Sequence, residues 1–472
     1  MSVSDTRPED RVPLKAKLAY GAAGVVDLWA TKLPPQLVTP IFVGGLGMSP
    51  ALVSLALVIF RFYDAIIDPL MGWISDNTRT RWGRRKPYLL VGTILTGLWF
   101  PVMWHMGRGW SEAALFAWLV GSGIVFFTFF TLWAMPFHSM LLEMTPDYNE
   151  RTSVSSWRSV FGQVATMMIG WAWYLTQLPW FTGSADGTPD PISGAQTVSL
   201  MAGALVLCVG ALPVFFVTER YYQAASRQKK VSLRDNFRWT FQNRPFVLTA
   251  GFTLFFCCAS ALTGAFGFYL RLYYVVHGDQ VLAAKIQGVE STLFSILGFA
   301  CVPFFNWLSR RIGKTWTLQI AMGLLLVGVV GRWWTYTPDN PWLSIVSGVM
   351  LAPAFTGIWQ LIPSINGDVV DYDELRTGER REGAFASIFS WIVKASFSLG
   401  TGLSGPLVVW CGFEVAKAAA QAPETYLTMR LADLSINGAL ILAAMYLVYR
   451  YPLSPARMAE LRAELETRRG KI

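Results

Sequence analysis

Long runs of apolar residues alternate with short polar segments along this chain of 472 residues. A helix of about 20 apolar residues crosses the hydrocarbon core of a bilayer and satisfies its own backbone hydrogen bonds there. The pattern therefore predicts an all-α membrane protein with twelve transmembrane helices. The expected spans are 16–43, 51–75, 87–106, 112–141, 154–178, 196–217, 246–275, 284–308, 315–336, 342–366, 383–411 and 426–450.

Composition supports a membrane environment, because 53% of the residues are hydrophobic, only 15% are charged, and 21 are Trp. A soluble protein of this length carries less apolar surface and more charge. Residues 1–14 are polar, and Lys15, Lys17, Asp27 and Lys32 interrupt the first apolar run. We expect this run to remain in the protein as its first span rather than to be cleaved as a signal peptide.

Basic residues indicate the orientation. Lys and Arg are concentrated between the second and third spans and in residues 220–244, whereas 44–50, 179–195 and 337–341 contain none. Loops rich in Lys and Arg lie on the cytoplasmic side. We therefore expect both termini in the cytoplasm, and a multi-pass protein of the bacterial inner membrane. The net charge of +9 is then explained by topology and by contact with anionic lipid headgroups, so we expect membrane lipids as partners and no nucleic acid.

The chain is predicted to consist of two similar halves. The expected limits are 1–219 for an N-terminal six-helix half, 220–244 for a cytoplasmic basic linker, 245–450 for a C-terminal six-helix half and 451–472 for a cytoplasmic tail. A basic loop follows the second span of each half, ending in Gly83-Arg84-Arg85-Lys86 and in Gly313-Lys314. Two six-helix repeats with a binding site at the membrane midplane are typical of the major facilitator fold.

Charged side chains inside the second span are the first candidates for function. Asp64 and Asp68 lie one helical turn apart in an otherwise apolar segment, with Arg61 one turn before. Successive helical residues turn by about 100°, so the three lie within roughly 60° on one face. Intramembrane charges are costly and usually functional. The competing interpretation is a structural ion pair with Arg61 that locks the helices together.

The stretch Arg61-Phe-Tyr-Asp-Ala-Ile-Ile-Asp-Pro-Leu-Met-Gly-Trp-Ile-Ser, followed by Arg81-Trp-Gly-Arg-Arg-Lys-Pro, resembles the glycoside-pentoside-hexuronide cation symporters, the family of the melibiose permease. Three other places are similar to that family: residues 143–152, residues 367–372, and Lys394 in Ile-Val-Lys-Ala. The resemblance runs in order from about residue 14 to 450. It implies a twelve-helix secondary transporter.

The resemblance assigns roles residue by residue. It implies that Asp64 and Asp68 form the site for the coupling cation, with Thr131 on the fourth span as a further ligand. It implies that Asp27 binds sugar hydroxyls together with Arg158. All five residues are present.

Two departures from the family pattern bear on specificity. The family's second sugar-binding aspartate falls on Ala134, which removes a hydroxyl acceptor and argues against a melibiose-like galactoside. In members that use sodium, an amide side chain often occupies the position of Ile67. An isoleucine side chain at this position cannot coordinate a metal. We therefore expect H⁺ as the coupling ion, with Na⁺ at Asp64, Asp68 and Thr131 as the alternative.

The chemistry of the ions favours the same choice. A hard cation needs several oxygen ligands, and two carboxylates with one hydroxyl supply few. A proton needs a single carboxylate, which burial and a neighbouring negative charge help to keep protonated. Five cysteines lack metal-ligand spacing, so we expect no cofactor and no structural metal.

Other candidate substrate contacts come from the second half and from aromatic residues. The resemblance implies that Lys394 acts in the substrate pocket, although a lone lysine there can also balance an Asp in one state of the transport cycle. Trp133 and Trp359 are expected at a depth where a ring can cover the apolar face of a sugar. Asp27 has a competing interpretation as a partner of Lys32, and Arg158 as a side chain that extends to the membrane surface.

The expected function is import of a sugar or glycoside by cation symport. The alternative within transport is a cation-coupled carrier of a lysolipid or another amphiphile, and the alternative from a different class is a membrane sensor without transport. We expect no enzyme activity, because no nucleophile–base pair, metal cluster or phosphate loop is present. A monomer is the expected state, and the identity of the sugar remains open.

Overall fold

The structure is a computed structural model that describes residues 11–78, 80–107, 109–145, 148–182, 190–218, 240–378 and 381–469. Regular secondary structure in these ranges is helical. The chain divides into two compact units, Met1–Lys229 and Lys230–Ile472. The predicted linker lies mostly outside the described residues, so its limits stay a prediction.

The described part of the N-terminal unit contains six long helices, which we number in chain order. They are α1 (Leu14–Val38), α2 (Pro50–Asn77), α3 (Lys86–Val102), α4 (Glu112–Met144), α5 (Tyr148–Leu175) and α6 (Pro191–Gly210), with short helices at Pro179–Thr182 and Leu212–Phe216. Within this unit α1 packs on α5, α2 on α4, and α3 on both α4 and α6.

Seven long helices lie in the described residues of the second unit. They are α7 (Arg244–Tyr269), α8 (Gln280–Ile312), α9 (Lys314–Thr335), α10 (Ser344–Thr377), α11 (Glu382–Trp410), α12 (Pro423–Tyr449) and α13 (Pro455–Arg469), with 3-10 turns at Pro341–Leu343 and Val415–Lys417. The core of this unit is apolar and includes Phe256, Phe305, Met322 and Ile358, each less than 2% exposed.

Nine helices in the described part of the chain are long and apolar enough to cross a membrane. They are α2, α4, α6 with its short continuation, and α7 to α12. Helices α1, α3 and α5 overlap the predicted spans 16–43, 87–106 and 154–178. Helix α3 is shorter than the nine helices above, and α1 and α5 carry more charged or polar residues. The total of twelve spans therefore stays a prediction.

Helix α1 ends in a wide π-helical turn, Thr39–Gly45. The chain has prolines at positions 34, 35 and 40, and a proline cannot donate the backbone hydrogen bond that an α-helix requires. Glycines elsewhere on α1 permit close packing: a Cβ at Gly21 would lie 3.0 Å from the carbonyl carbon of Trp157 on α5. This close approach brings the polar residues of α1 and α5 together.

Helix α10 is longer than predicted, because it continues beyond residue 366 to Thr377. Its added turns carry Asp368 and Asp373, which bond to Lys314 and Arg381 respectively. The predicted span ended where the apolar run ended. The helix itself continues, because polar residues can extend a helix beyond the membrane. The predicted tail contains α13, whose Met458 and Leu461 are buried in a small apolar cluster.

Candidate functional site

Asp27 on α1 binds two side chains from other helices. Its Oδ2 accepts a hydrogen bond from Arg158 Nη2 on α5 at 2.6 Å, and its Oδ1 lies 3.1 Å from His138 Nε2 on α4. The Asp27 side chain is only 14% exposed, whereas Arg158 and His138 are 35% and 39% exposed. A shielded carboxylate is thus held between two basic groups that remain accessible.

The local packing explains how Arg158 reaches Asp27. Gly24 lies one helical turn before Asp27, and a Cβ at this position would lie 2.8 Å from Arg158 Cγ. The glycine therefore leaves room for the stem of the arginine. The guanidinium lies 5.5 Å from the ring centroid of Phe137, which in turn stacks on Tyr20 at 4.5 Å. Cation–π contact favours this position of the charge.

His138 is the functional candidate that sequence reasoning missed. It was not among the residues expected from the sequence, yet its Nε2 lies 3.1 Å from Asp27 Oδ1. Its position offered a signal: it follows Thr131 by seven residues and Ala134 by four, and residues with these spacings share a helix face. The pairing partner could not be read from the sequence, because it depends on how α1 and α4 pack.

The competing interpretation of Asp27 as a partner of Lys32 receives little support. Lys32 is exposed and interacts with Asp27 only through its charge, whereas Arg158 and His138 make the direct contacts. The structure thus brings Asp27 and Arg158 into contact, so both can bind the same sugar.

The acidic residues of α2 lie against α4. Asp64 is 5% exposed, and Asp68 Oδ1 accepts a hydrogen bond from the hydroxyl of Thr131 at 3.2 Å. Thr131 itself is 0% exposed. Thr128, one turn before Thr131 on α4, shares a hydrogen bond with Tyr63 on α2, with 2.6 Å between their hydroxyl oxygens. Asp68 and Thr131, predicted to act in one site, are therefore in contact.

Arg61 connects the acidic helix to α1. Its Nη2 donates to the carbonyl of Thr31 at 3.4 Å, and its charge interacts with Asp64. Thr31 is one turn beyond Asp27, and its hydroxyl donates to the Asp27 carbonyl at 2.7 Å. Helix α1 thus carries the candidate substrate carboxylate and also holds the arginine of the candidate cation site.

Trp133 is placed differently from the prediction. It is 0% exposed, and its indole N–H donates to the carbonyl of Gly210 at 3.1 Å. Its ring stacks on Phe137 at 4.5 Å, and a Cβ at Gly92 would lie 2.6 Å from its backbone nitrogen. In this structure Trp133 packs inside the unit and does not present a face to substrate. It supports Phe137, whose ring contacts the guanidinium of Arg158.

Two predicted substrate contacts belong to the second unit. Trp359 on α10 stacks with Phe397 and meets Phe256 edge-on, yet remains 38% exposed. Lys394 lies within α11 and is half-buried, with its carbonyl accepting a hydrogen bond from Ser398 at 2.8 Å. An accessible indole face and an intramembrane ammonium are both suited to a polar organic ligand.

Comparisons with known proteins place the chain in a family. Residues 22–455 match the family described as MFS/sugar transport protein. The chain is 25% identical to the isoprimeverose transporter of Lactiplantibacillus pentosus, covering 88% of this chain and 84% of the relative. It is 23% identical to the putative glycoside/cation symporter YagG of Escherichia coli, covering 96% and 95% respectively. The crystal structure of a D-xylose-proton symporter is similar in fold, with a TM-score of 0.61, 13% identity and coverage of 92% of this chain and 96% of that one.

These matches define a multi-pass membrane transporter with the major facilitator fold. The chain belongs to the MFS/sugar transport protein family, because the match extends over nearly all of its length. The resemblance noted in the sequence is therefore confirmed at the level of the family, which consists of transporters rather than enzymes.

Proposed function

We propose that the protein imports a sugar or glycoside by cation symport. Relatives along nearly the whole chain are named as an isoprimeverose transporter and a putative glycoside/cation symporter. The observation that carries the proposal is the contact of Asp27 with Arg158 and His138, joined through α1 to the arginine of the acidic pair.

The chemistry around Asp27 is suited to sugar hydroxyls. A carboxylate accepts hydrogen bonds from hydroxyl groups, and the guanidinium and imidazole donate them. Hydrogen bonds to charged groups are the strong ones, worth about 1.5–3 kcal/mol each. Because Arg158 and His138 are more than a third exposed, both can exchange a bond to Asp27 for one to a ligand.

The coupling cation is proposed to bind at Asp64 and Asp68 with Thr131. Thr131 is fully buried and bonded to Asp68, and Asp64 is nearly inaccessible. Ile67 adds an apolar side chain in the same turn of α2. The burial of Asp64 and the small number of oxygen ligands disfavour Na⁺ and suit a proton, so we propose H⁺.

We propose that α1 couples the two sites. Arg61 bonds to the backbone carbonyl of Thr31 on α1, one helical turn beyond Asp27, so a change in the charge of Asp64 alters the balance of forces on Arg61 and its hold on α1. The proposed orientation has both termini in the cytoplasm of a bacterium and the protein in the inner membrane. Lys394 and Trp359 remain proposed substrate contacts.

The experiment is an uptake screen in proteoliposomes over labelled mono- and disaccharides, with H⁺ and Na⁺ gradients imposed separately. We expect accumulation of at least one glycoside on a pH gradient, and only equilibration in the Asp68→Asn variant. Asn77, at the end of the same helix, donates a bond to the carbonyl of Trp73 and to no other group among the described residues; Asn77→Ala is therefore the matched control and keeps accumulation. The absence of uptake for every sugar by folded wild-type protein contradicts the proposal.

A further inference from the structure

Five charged side chains cluster inside the helices of the second unit and take no part in the proposed transport mechanism. They are Arg271, Glu290, Arg332, Arg430 and Asp433, and we call them the arginine cluster. Arg271 lies in the π-helical turn Leu270–Val275 after α7, and the others lie on α8, α9 and α12. Such charges within apolar helices are rare and usually functional.

Four of the five charges cancel in pairs. Arg271 forms an ion pair with Glu290, and Arg332 Nη1 lies 3.3 Å from Asp433 Oδ2. Asp433 is held further by the amide of Asn437 at 2.6 Å. One positive charge is left over, on Arg430.

Arg430 is held by aromatic residues and a carbonyl instead of a carboxylate. Its guanidinium lies 4.4 Å from the ring of Trp333 and 5.2 Å from the ring of Tyr274. It donates to the Tyr274 hydroxyl at 3.1 Å and to the Trp333 carbonyl. In the described part of the chain, no carboxylate forms an ion pair with it. The site therefore carries a net positive charge that is fixed in position.

Donors of the cluster are unused. The Nε atoms of Arg271, Arg332 and Arg430 are all buried without a hydrogen-bond partner. The side chain of Arg332 is only 8% exposed. A buried guanidinium donor without an acceptor is costly, and native proteins normally supply one. Arg332 and Arg430 line a common cleft with Trp333, Tyr336 and Asp433, so an acceptor in this cleft is close to both.

The cleft lies near one end of α9 and α12. Arg430 is seven residues from the start of α12, or about 10 Å along the helix axis, and Trp333 is two residues before the end of α9. Leu427 and Leu431, on the face of α12 that includes Arg430, are 49% and 48% exposed, and Trp334 is 69% exposed. Exposed apolar side chains on a membrane helix face acyl chains.

We propose that this cleft binds the phosphate of an anionic phospholipid. The phosphodiester lies at the mouth of the cleft and accepts from Arg430, while the acyl chains lie along Leu427 and Leu431. The space inside the cleft is about that of one water molecule, and such a water can bridge the phosphate to the buried donor of Arg332. In the orientation proposed above, the lipid belongs to the outer leaflet. Basic pockets between transmembrane helices on the cytoplasmic side bind anionic headgroups, and we propose the same chemistry at the opposite surface, because Arg matches phosphate geometry with its planar fork.

The apolar surroundings distinguish a lipid from a free anion. A soluble anion gains nothing from Leu427 and Leu431, whereas a lipid buries chain area against them. The aromatic rings of Trp333 and Tyr274 hold the guanidinium in one place before the ligand arrives, which reduces the entropy that binding must overcome.

The test is native mass spectrometry of the purified protein with dilauroyl phosphatidylglycerol, compared with dilauroyl phosphatidylcholine. We expect the wild type to retain phosphatidylglycerol preferentially, and Arg430→Gln to weaken this binding by about tenfold because charge-assisted bonds are lost. The matched control is Arg450→Gln at the other end of α12: Arg450 lies 5.9 Å from the ring of Tyr446 and bonds to its hydroxyl. This variant should bind like the wild type.

Any of four outcomes overturns the proposal. Equal retention of phosphatidylglycerol by Arg430→Gln and wild type would show that Arg430 does not bind the lipid. Equal retention of the two lipids would show that binding does not require a negatively charged headgroup. Displacement of phosphatidylglycerol by equimolar inorganic phosphate identifies a free-anion site instead. If Arg430→Gln does not fold, Arg430→Lys replaces it: the charge remains but the planar fork is lost, and a severalfold weaker retention is expected. Retention by Arg430→Lys equal to that of the wild type then overturns the proposal.

Discussion

Arg158 and His138 bind different oxygens of Asp27, so replacing each in turn tests how the candidate sugar site is built. We predict that Arg158→Gln weakens substrate binding more than His138→Phe does. The contact of Arg158 is a bond of 2.6 Å between two charged groups, whereas that of His138 is 3.1 Å long. Both side chains are partly exposed, at 35% and 39%, so water weakens both contacts.

The magnitudes follow from these contacts. A hydrogen bond to a charged group is worth about 1.5–3 kcal/mol, and each 1.4 kcal/mol is about a factor of ten in affinity. We assign the upper end of the range to Arg158 and the lower end to His138, because a guanidinium is always charged and can donate two bonds to a ligand, whereas a neutral imidazole donates one. Expected losses of affinity are therefore about 100-fold for Arg158→Gln and about tenfold for His138→Phe.

The assay is binding of the substrate identified in the uptake screen, measured by counterflow in proteoliposomes and by calorimetry on purified protein. Ser139→Ala is the matched control, since Ser139 neighbours His138 but, within the part of the chain that the structure describes, bonds only to the carbonyl of Met135 on the same helix. In an Asp27→Asn background, His138→Phe should cost less than about twofold, because the charged acceptor is already lost. A reversed order of the two losses, or full additivity with Asp27→Asn, would refute the reasoning.

Three further predictions concern the cation site and the packing of α1. Asp64→Asn and Asp68→Asn should each abolish uphill uptake in proteoliposomes while counterflow continues, because an amide cannot bind and release a coupling proton. Ile67→Asn should make uptake responsive to Na⁺, because it adds an oxygen ligand beside the carboxylates; the measurement is uptake on a Na⁺ gradient at fixed pH. Gly24→Ala should reduce substrate affinity by about tenfold or more, because its Cβ would lie 2.8 Å from Arg158 Cγ and displace the guanidinium from Asp27.

Each of these predictions has its own check. Gly72→Ala is the control for Gly24→Ala, because a Cβ at Gly72 on α2 would meet nothing within 4 Å; equal losses in both variants would show that the effect is not steric. Concentrative uptake by both aspartate variants would remove Asp64 and Asp68 from coupling. Strong Na⁺ stimulation of the wild type would show that backbone or water oxygens already complete a metal site beside Ile67.

The helices were largely predictable from the sequence because the bilayer imposes a simple rule on apolar length. The helices α2, α4 and α6 to α12 all overlap predicted spans. The polar continuation of α10 to Thr377 was not predicted, because carboxylates such as Asp373 end an apolar run without ending a helix. Partners on other helices were also hidden: the bond between Asp27 and His138 depends on the packing of α1 against its neighbours.

The burial of Trp133 and the arginine cluster were missed for different reasons. Trp133 was predicted at a suitable depth, but depth does not say which way a ring points, and here it packs behind Phe137. Arg332 and Asp433 were visible as charges inside apolar runs. They belong to different predicted spans, however, so only the structure shows that they neutralise each other and leave Arg430 without a carboxylate partner in the described part of the chain.

The most direct test of cation-coupled sugar import is whether the substrate moves the ion. Proteoliposomes without any imposed gradient are mixed with the substrate in lightly buffered medium, and the external pH is recorded with wild type and with Asp68→Asn. We predict alkalinisation outside on addition of substrate to the wild type, because protons enter with the sugar, and no change with the variant. Sugar entry without proton movement, accompanied instead by entry of labelled Na⁺, would contradict the proton assignment, and sugar entry without movement of either ion would contradict symport itself.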